Sequence, residues 1–211
     1  MLHPSLLRRS TSDVPLEKEG LFMSAAEPIR DKRKLAQFAS YYKSKRQYRN
    51  YALIVVGAHT AFRISDLLSL KWSDVYDEKS QSFSSHIELV EKKTGKVKTI
   101  ALNAQVKSAL RLLLPLRRGE FIFANNRKDA RPISRIQAWR IIRAAASAVG
   151  LGGRIACHSL RKTFGYFAWK AGALPVLLME IFNHTSFETT RRYLGITQDD
   201  LDEVYLGMEL F

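Results

Sequence analysis

Apolar residues fall at helical spacing from the first well-patterned stretch onward. Between Asp31 and about Lys45 they sit at Leu35, Phe38, Ala39 and Tyr42, with lysines and arginines opposite, which predicts an amphipathic helix. Gln47 to Thr60 carries Tyr51, Leu53, Ile54, Val55 and Val56, an apolar band too wide for a surface helix, so this segment is expected in the core. A short helix is expected from Ile64 to Leu70, with Ser65 as its cap. The period then drops to two. His86-Ile87-Glu88-Leu89-Val90-Glu91 and Lys96-Val97-Lys98-Thr99-Ile100-Ala101-Leu102 alternate, and Lys92-Lys93-Thr94-Gly95 joins them. Gly95 supplies the positive φ that a tight turn needs, so the two runs read as a hairpin.

Helical patterning resumes at 104–114, with Asn103 as cap and Pro115 as stop, while Phe121-Ile122-Phe123 reads as a short extended piece. Ser134 is placed to cap a long helix to Val149, which Gly150 ends. Further helices are expected from about Ser159 to Ala171, from Pro175 to about Phe182, and from Glu188 to Leu194. Thr197-Gln198-Asp199-Asp200 has the form of a capping box, ahead of a last helix with Leu201, Val204, Tyr205 and Met208 on one stripe. The pattern as a whole is mainly α with a small antiparallel β-sheet, an α+β class. Residues 1–28 lack periodicity and hold three prolines, so they are expected to be a flexible segment ahead of a single domain over 29–211. Met23, just before the first helix, is a candidate second start.

Charge narrows the field of partners. Thirty-four Lys and Arg against 20 Asp and Glu give the 211-residue chain a net charge of +14. Such a basic globular domain most often meets a polyanion, because phosphate contacts release condensed counterions. One cysteine, Cys157, excludes an internal disulfide framework and a cysteine zinc cluster. No apolar run reaches the ~18 residues of a membrane span, and no secretory signal pattern opens the chain. A cytoplasmic, DNA- or RNA-associated protein is the expectation.

The residues able to act on a phosphate lie at element boundaries. Arg63 stands between two helices, where its planar fork can make two parallel bonds to a phosphate; an ion pair with Asp66 is the plainer reading. Lys93 lies at the hairpin turn, with Lys92 and Lys96 as rivals, and a lysine among cations is suited to general acid work. His158 and Arg161 are three residues apart, which puts both on one helix face near an N-terminus that favours anions. His184 falls in a loop, and Tyr193 follows in the next helix. Tyrosine, with a pKa of about 10, is a poor nucleophile unless its surroundings activate it. No second ligand lies at metal-binding spacing from His158, so no metal and no cofactor is expected.

Taken in order, these residues resemble the catalytic domain of the tyrosine recombinases, the phage-integrase and Xer group. Thr60-Ala61-Phe62-Arg63-Ile64-Ser65-Asp66-Leu67-Leu68-Ser69-Leu70-Lys71-Trp72 resembles the first-arginine box, and Lys92-Lys93-Thr94-Gly95 the hairpin lysine segment. His158-Ser159-Leu160-Arg161-Lys162-Thr163-Phe164 resembles the His-x-Leu-Arg box, and Phe182-Asn183-His184-Thr185-Ser186 followed by Arg192-Tyr193 the histidine and nucleophile boxes. Asn183 stands where many members have Gly. The resemblance implies a site-specific recombinase or integrase with Tyr193 as nucleophile and a 3′-phosphotyrosyl intermediate. Arg63 and Arg161 would clamp the phosphate, His158 would take or steer the proton, His184 would donate, and Lys93 would protonate the leaving oxygen. It also implies double-stranded DNA as partner, a homotetramer on DNA, and accessory DNA-binding proteins. The chain leaves no room for the separate N-terminal clamping domain of larger members. The rival readings are a type IB topoisomerase and a non-cleaving DNA-binding regulator of the same fold.

Overall fold

The computed structural model describes residues 26–209. Met23 and most of the segment expected to be flexible lie outside the described residues. The first helix, α1 (Lys32–Ser44), starts where the Asp31 carboxylate accepts the N–H groups of Arg33 and Lys34. α2 (Tyr48–Thr60) is the central rod of the domain: Ala52 to Gly57 are all buried, as its wide apolar band requires. Around it pack α1, α4 (Ala104–Leu113) and α6 (Cys157–Lys170), and α5 (Arg135–Ala148) closes the far side of α1. Asn103 and Ser134 cap α4 and α5 as their side-chain chemistry predicts. Among the described residues, no helix is long and apolar enough to cross a membrane.

The hairpin forms from β3 (His86–Val90) and β4 (Val97–Ala101), in register from His86↔Ala101 to Val90↔Val97, with Gly95 at φ 67° in the turn. A second pair, β1 (Tyr76–Asp77) with β2 (Ser82–Phe83), was not legible, because two-residue strands show no period. Phe121-Ile122-Phe123 forms no continuous strand. Phe121 makes a single bridge to Lys71, and the Ile122 N–H reaches the Leu70 carbonyl at 3.0 Å.

One helix cap and one helix start differ from expectation in ways that bear on function. α3 (Ile64–Leu68) is entered at Arg63, whose extended backbone (φ −67°, ψ 148°) and carbonyl, rather than Ser65, take the cap position. α6 begins at Cys157, two residues earlier than expected, so His158 lies in its first turn.

A smaller apolar cluster secures the C-terminal third. Ala61, Leu178, Phe182 and Leu194 are its buried centre, joining the end of α2 to α7 (Pro175–Phe182) and α8 (Phe187–Leu194). Gly165 of α6 permits this junction: a Cβ there would lie 2.6 Å from Phe182 Cζ and 2.9 Å from Leu194 Cδ2. Both neighbours are fully buried, so neither can swing away. Gly165→Ala is therefore expected to destabilise the fold, since overpacking of about 1–3 kcal/mol outweighs a helix-propensity gain of roughly 1 kcal/mol. A lowered denaturation midpoint in urea would be the expected result, and an unchanged or raised one would show that α7 and α8 yield freely.

Candidate active site

Four of the six residues singled out in the sequence meet around one hydroxyl. Tyr193, near the end of α8, is half-buried among Phe182, His184 and His158, with ring centroids at 4.9, 4.9 and 5.5 Å. Its hydroxyl lies 3.1 Å from Arg161 Nε and 3.0 Å from His158 Nε2. Arginine has no acceptor, so the hydroxyl accepts from Arg161 and directs its own hydrogen at His158. That fixes His158 Nε2 as an acceptor in this arrangement. Burial, reinforced by the charges of Arg161, Lys162 and Arg63, lowers the pKa of His158, which keeps the ring neutral and able to receive a proton. Burial raises the pKa of Tyr193, opposed by Arg161 and Arg63, so near neutral pH it carries its proton until a base removes it.

Arg161 is 2% exposed and extensively anchored. One guanidinium nitrogen donates to the Ala61 carbonyl, the other to the Phe182 carbonyl at 2.8 Å, and the group lies 4.9 Å over the Phe182 ring. Local backbone geometry makes this possible. Ala61 ends α2 at φ 54° and Asn183 ends α7 at φ 52°, and these left-handed turns accompany the helix-end carbonyls that face the cation. Asparagine tolerates that conformation better than most residues, which answers why Asn can stand at 183. Three of the five N–H donors are thereby used, and two remain.

His184 follows at once, its Nδ1 3.1 Å from Thr190 Oγ1. The Thr190 hydroxyl in turn donates to the Ser186 carbonyl at 3.4 Å, so Thr190 ties the His184 ring to the start of α8. Burial and the charges of Arg161 and Arg63 lower the pKa of His184 too.

Arg63 reaches this group by its charge, which acts on Tyr193, His158 and His184 alike. It pairs not with Asp66, the plainer expectation, but with Glu91 just after β3, at 2.7 Å. Glu91 is 3% exposed. Burial opposes its ionisation, yet the bonds to Arg63 and Thr94 and the charges of Arg63 and Lys98 hold its pKa below the ordinary value. Asp66 is fully buried and accepts the Lys92 N–H at 3.2 Å, so it ties α3 to the hairpin. Lys93 sits in the exposed turn, outside the hydrogen-bonded group. Sequence reasoning passed over Glu91, Asp66 as a hairpin anchor, and Lys98, whose half-buried side chain extends from β4 into this cluster. Among the described residues, no group of three or more His, Cys, Asp or Glu could hold a metal ion.

Comparison with known proteins identifies the family and the fold. The model of the phage integrase family matches residues 30–199. The probable integrase/recombinase YoeC of Bacillus subtilis (strain 168) is 36% identical over 184 residues, spanning 87% of this chain and 97% of that protein. The tyrosine recombinase XerC of Pediococcus pentosaceus is 28% identical over 180 residues, 80% of this chain but 57% of its own length, so the chain spans little more than half of that relative. Among solved structures, XerA recombinase superposes with a TM-score of 0.71 at 24% identity, over 87% of this chain and 66% of that one. A lambda integrase dimer bound to a core site gives 0.62 at 20% identity, over 81% and 60%; at such identities these likenesses speak for the fold. The helices packed about α2 and the hairpin beside them thus have a common explanation: this chain belongs to the phage integrase family and has the fold of a tyrosine recombinase catalytic domain.

Proposed function

We propose that this chain is a site-specific recombinase that cuts and rejoins double-stranded DNA through a 3′-phosphotyrosyl intermediate. The observation that carries the reading is the Tyr193 hydroxyl, held between an arginine donor at 3.1 Å and a histidine acceptor at 3.0 Å. In the forward step the Tyr193 oxygen attacks the scissile phosphorus, its proton passes to His158, and the bond to the 5′-oxygen breaks. Arg63, the spare N–H groups of Arg161 and His184 stabilise the added charge on the phosphoryl oxygens, which is commonly the largest contribution to such catalysis. Lys93, on its exposed turn, would swing in to protonate the leaving 5′-oxygen. A 5′-hydroxyl of another strand then attacks the phosphotyrosine and releases Tyr193. Each transesterification conserves the phosphodiester energy, so no ATP is consumed, and the arginines supply the charge that a metal ion would otherwise bring.

Residues 29–211 form the catalytic domain in this reading, including the tail helix α9 (Gln198–Leu206). A solved XerH structure is of a recombinase bound to its difH substrate, and one of the Tn1549 transposon integrase is in complex with a circular intermediate DNA, which supports duplex DNA as the partner here. A DNA-bound homotetramer with accessory DNA-binding proteins, associated with the nucleoid in the cytoplasm, completes the reading. α9 supports the assembly. Lys170 pairs with its Asp200 and Glu203 at 2.9 and 2.8 Å, which anchors its start to α6. Val204, Tyr205 and Leu206 are nevertheless 63%, 77% and 85% exposed, an apolar end free to dock on a neighbouring protomer.

The test uses a nicked suicide duplex and a two-site substrate built from DNA flanking the coding region. The full chain is expected to give a detergent-resistant protein–DNA adduct on the first and exchanged products on the second. Deletion of 197–211 should abolish synapsis while single-site adduct persists; equal loss of both, or of neither, would count against docking in trans. Relaxation of supercoils without exchange would favour the topoisomerase reading, and the absence of any adduct the regulator reading.

A further inference from the structure

We propose that Lys98 is a positioning residue: by bridging β4 to the carbonyl end of α7, it docks the hairpin that carries Lys93 against the turn that carries His184. The kinetic part of this proposal rests on the strand-transfer reading above, whereas the docking part does not.

Lys98 Nζ donates to the Ile181 carbonyl at 2.5 Å, and Lys96 Nζ, one pleat away, reaches Asn183 Oδ1 at 3.2 Å. The next carbonyl along, Phe182, receives Arg161 at 2.8 Å. Two successive carbonyls at the negative end of the α7 dipole thus each hold a cation. The turn springs from the same place, since Asn183 follows at φ 52° and the His184 N–H folds back to the Met179 carbonyl at 2.9 Å. On the other side, Lys98 pairs with Leu89 in the ladder, and the hairpin turn closes through Glu91 N–H to Lys96 O and Gly95 N–H to Glu91 O, at 2.9 and 2.8 Å. The hairpin and α7 face each other across a cavity of about 520 Å³, and the two lysines reach over it.

Charges surround this ammonium on every side. Arg161 comes from α6, Arg63 and Asp66 from the start of α3, Glu91 from just after β3, Lys96 from the turn just before β4, and Glu180 and His184 from α7 and its turn. Burial and then Arg161 pull the pKa of Lys98 down to about 8, against Glu91 and Asp66. The charged latch is therefore held below about pH 8 and weakens above it. Stability runs the other way. A lysine whose pKa falls on folding binds fewer protons than the unfolded chain between its two pKa values, so the fold gains stability as pH rises through that window. A decline in cleavage above pH 8 with undiminished fold stability would therefore mark the latch rather than unfolding.

The test compares the full chain with Lys98→Met and Lys98→Arg. In DNA-free protein near neutral pH, loss of a charge-assisted bond should speed amide hydrogen exchange at Thr94, Gly95, Asn183 and His184 by about ten- to a hundredfold in Lys98→Met. Lys98→Arg, which keeps a permanent charge and a donor, should restore slow exchange. On the suicide duplex the wild-type rate should decline above pH 8, Lys98→Met should be slow throughout, and Lys98→Arg should lose the alkaline decline. Wild-type exchange in Lys98→Met overturns the proposal whatever the cleavage result. So does a cleavage defect that a 5′-bridging phosphorothiolate removes while exchange stays slow, because Lys98 would then be the proton donor itself. If the wild type forms no adduct, the strand-transfer reading fails, and exchange alone decides the docking role.

Discussion

Tyr193→Phe should abolish the covalent protein–DNA adduct and leave DNA binding, with its salt dependence, at the wild-type level. The substitution removes one oxygen and keeps the ring, which packs against Phe182 and His184 in the smaller apolar cluster. Arg161 stays anchored by the Ala61 and Phe182 carbonyls, so the phosphate clamp survives the loss of its bond to the hydroxyl. The cost to the fold is the two hydrogen bonds of that hydroxyl, roughly 1–3 kcal/mol together. Non-specific affinity for a duplex comes from neutralising phosphates with Lys and Arg, and the substitution leaves the chain's net charge of +14 unchanged. Gel separation of the adduct in detergent, with filter binding over a range of salt, measures the two quantities separately. A persistent adduct in Tyr193→Phe would place the nucleophile elsewhere; Tyr205, which is 77% exposed on α9, would then be the first residue to examine.

The chain's order of elements was legible because its signals are local. Asn103, Ser134 and Pro175 mark helix starts by chemistry that acts within one turn, and Gly95 marks the hairpin by its backbone freedom. The site was legible in part for a different reason. Arg63, His158, Arg161, His184 and Tyr193 stand out as polar groups at element boundaries, and the fold brings the last four into contact. What escaped were partners fixed only by tertiary packing. Glu91 reads as the polar end of an alternating strand, and nothing in its neighbourhood announces that it will lie buried against Arg63. Lys98 did leave a signal. Period two puts it on the face of Ile100, which is turned inward, while Val97 points out and is 68% exposed. A lysine inside and a valine outside invert the usual strand order, and that inversion marks a charge placed for a purpose. Lys93 shows the opposite limit. Sequence resemblance selects it, yet its exposed turn holds it outside the hydrogen-bonded group at Tyr193.

Arg161→Lys is expected to slow adduct formation by about a hundred- to a thousandfold, the range for removal of one preorganised donor from a transition state. The charge is retained, so the loss measures geometry. A planar fork reaches the Ala61 carbonyl, the Phe182 carbonyl and the Tyr193 hydroxyl at once and still has two N–H groups to offer a phosphate. An ammonium has three donors from a single point, so it cannot reproduce contacts made from three separate guanidinium nitrogens. One buried carbonyl left unpaired costs about 1–3 kcal/mol, so a fall in stability should accompany the fall in rate. The two effects separate by measurement. Rates are taken well below the denaturation midpoint of the variant, where the folded fraction is essentially complete, and binding is measured on the same duplex. Loss of a single phosphate contact should barely alter affinity. If Arg161→Lys is instead less stable but cleaves within about tenfold of wild type, below the loss expected for a transition-state donor, Arg161 serves the two helix ends alone. The clamp would then fall to Arg63, whose attachment to Glu91 would become the feature that controls the site.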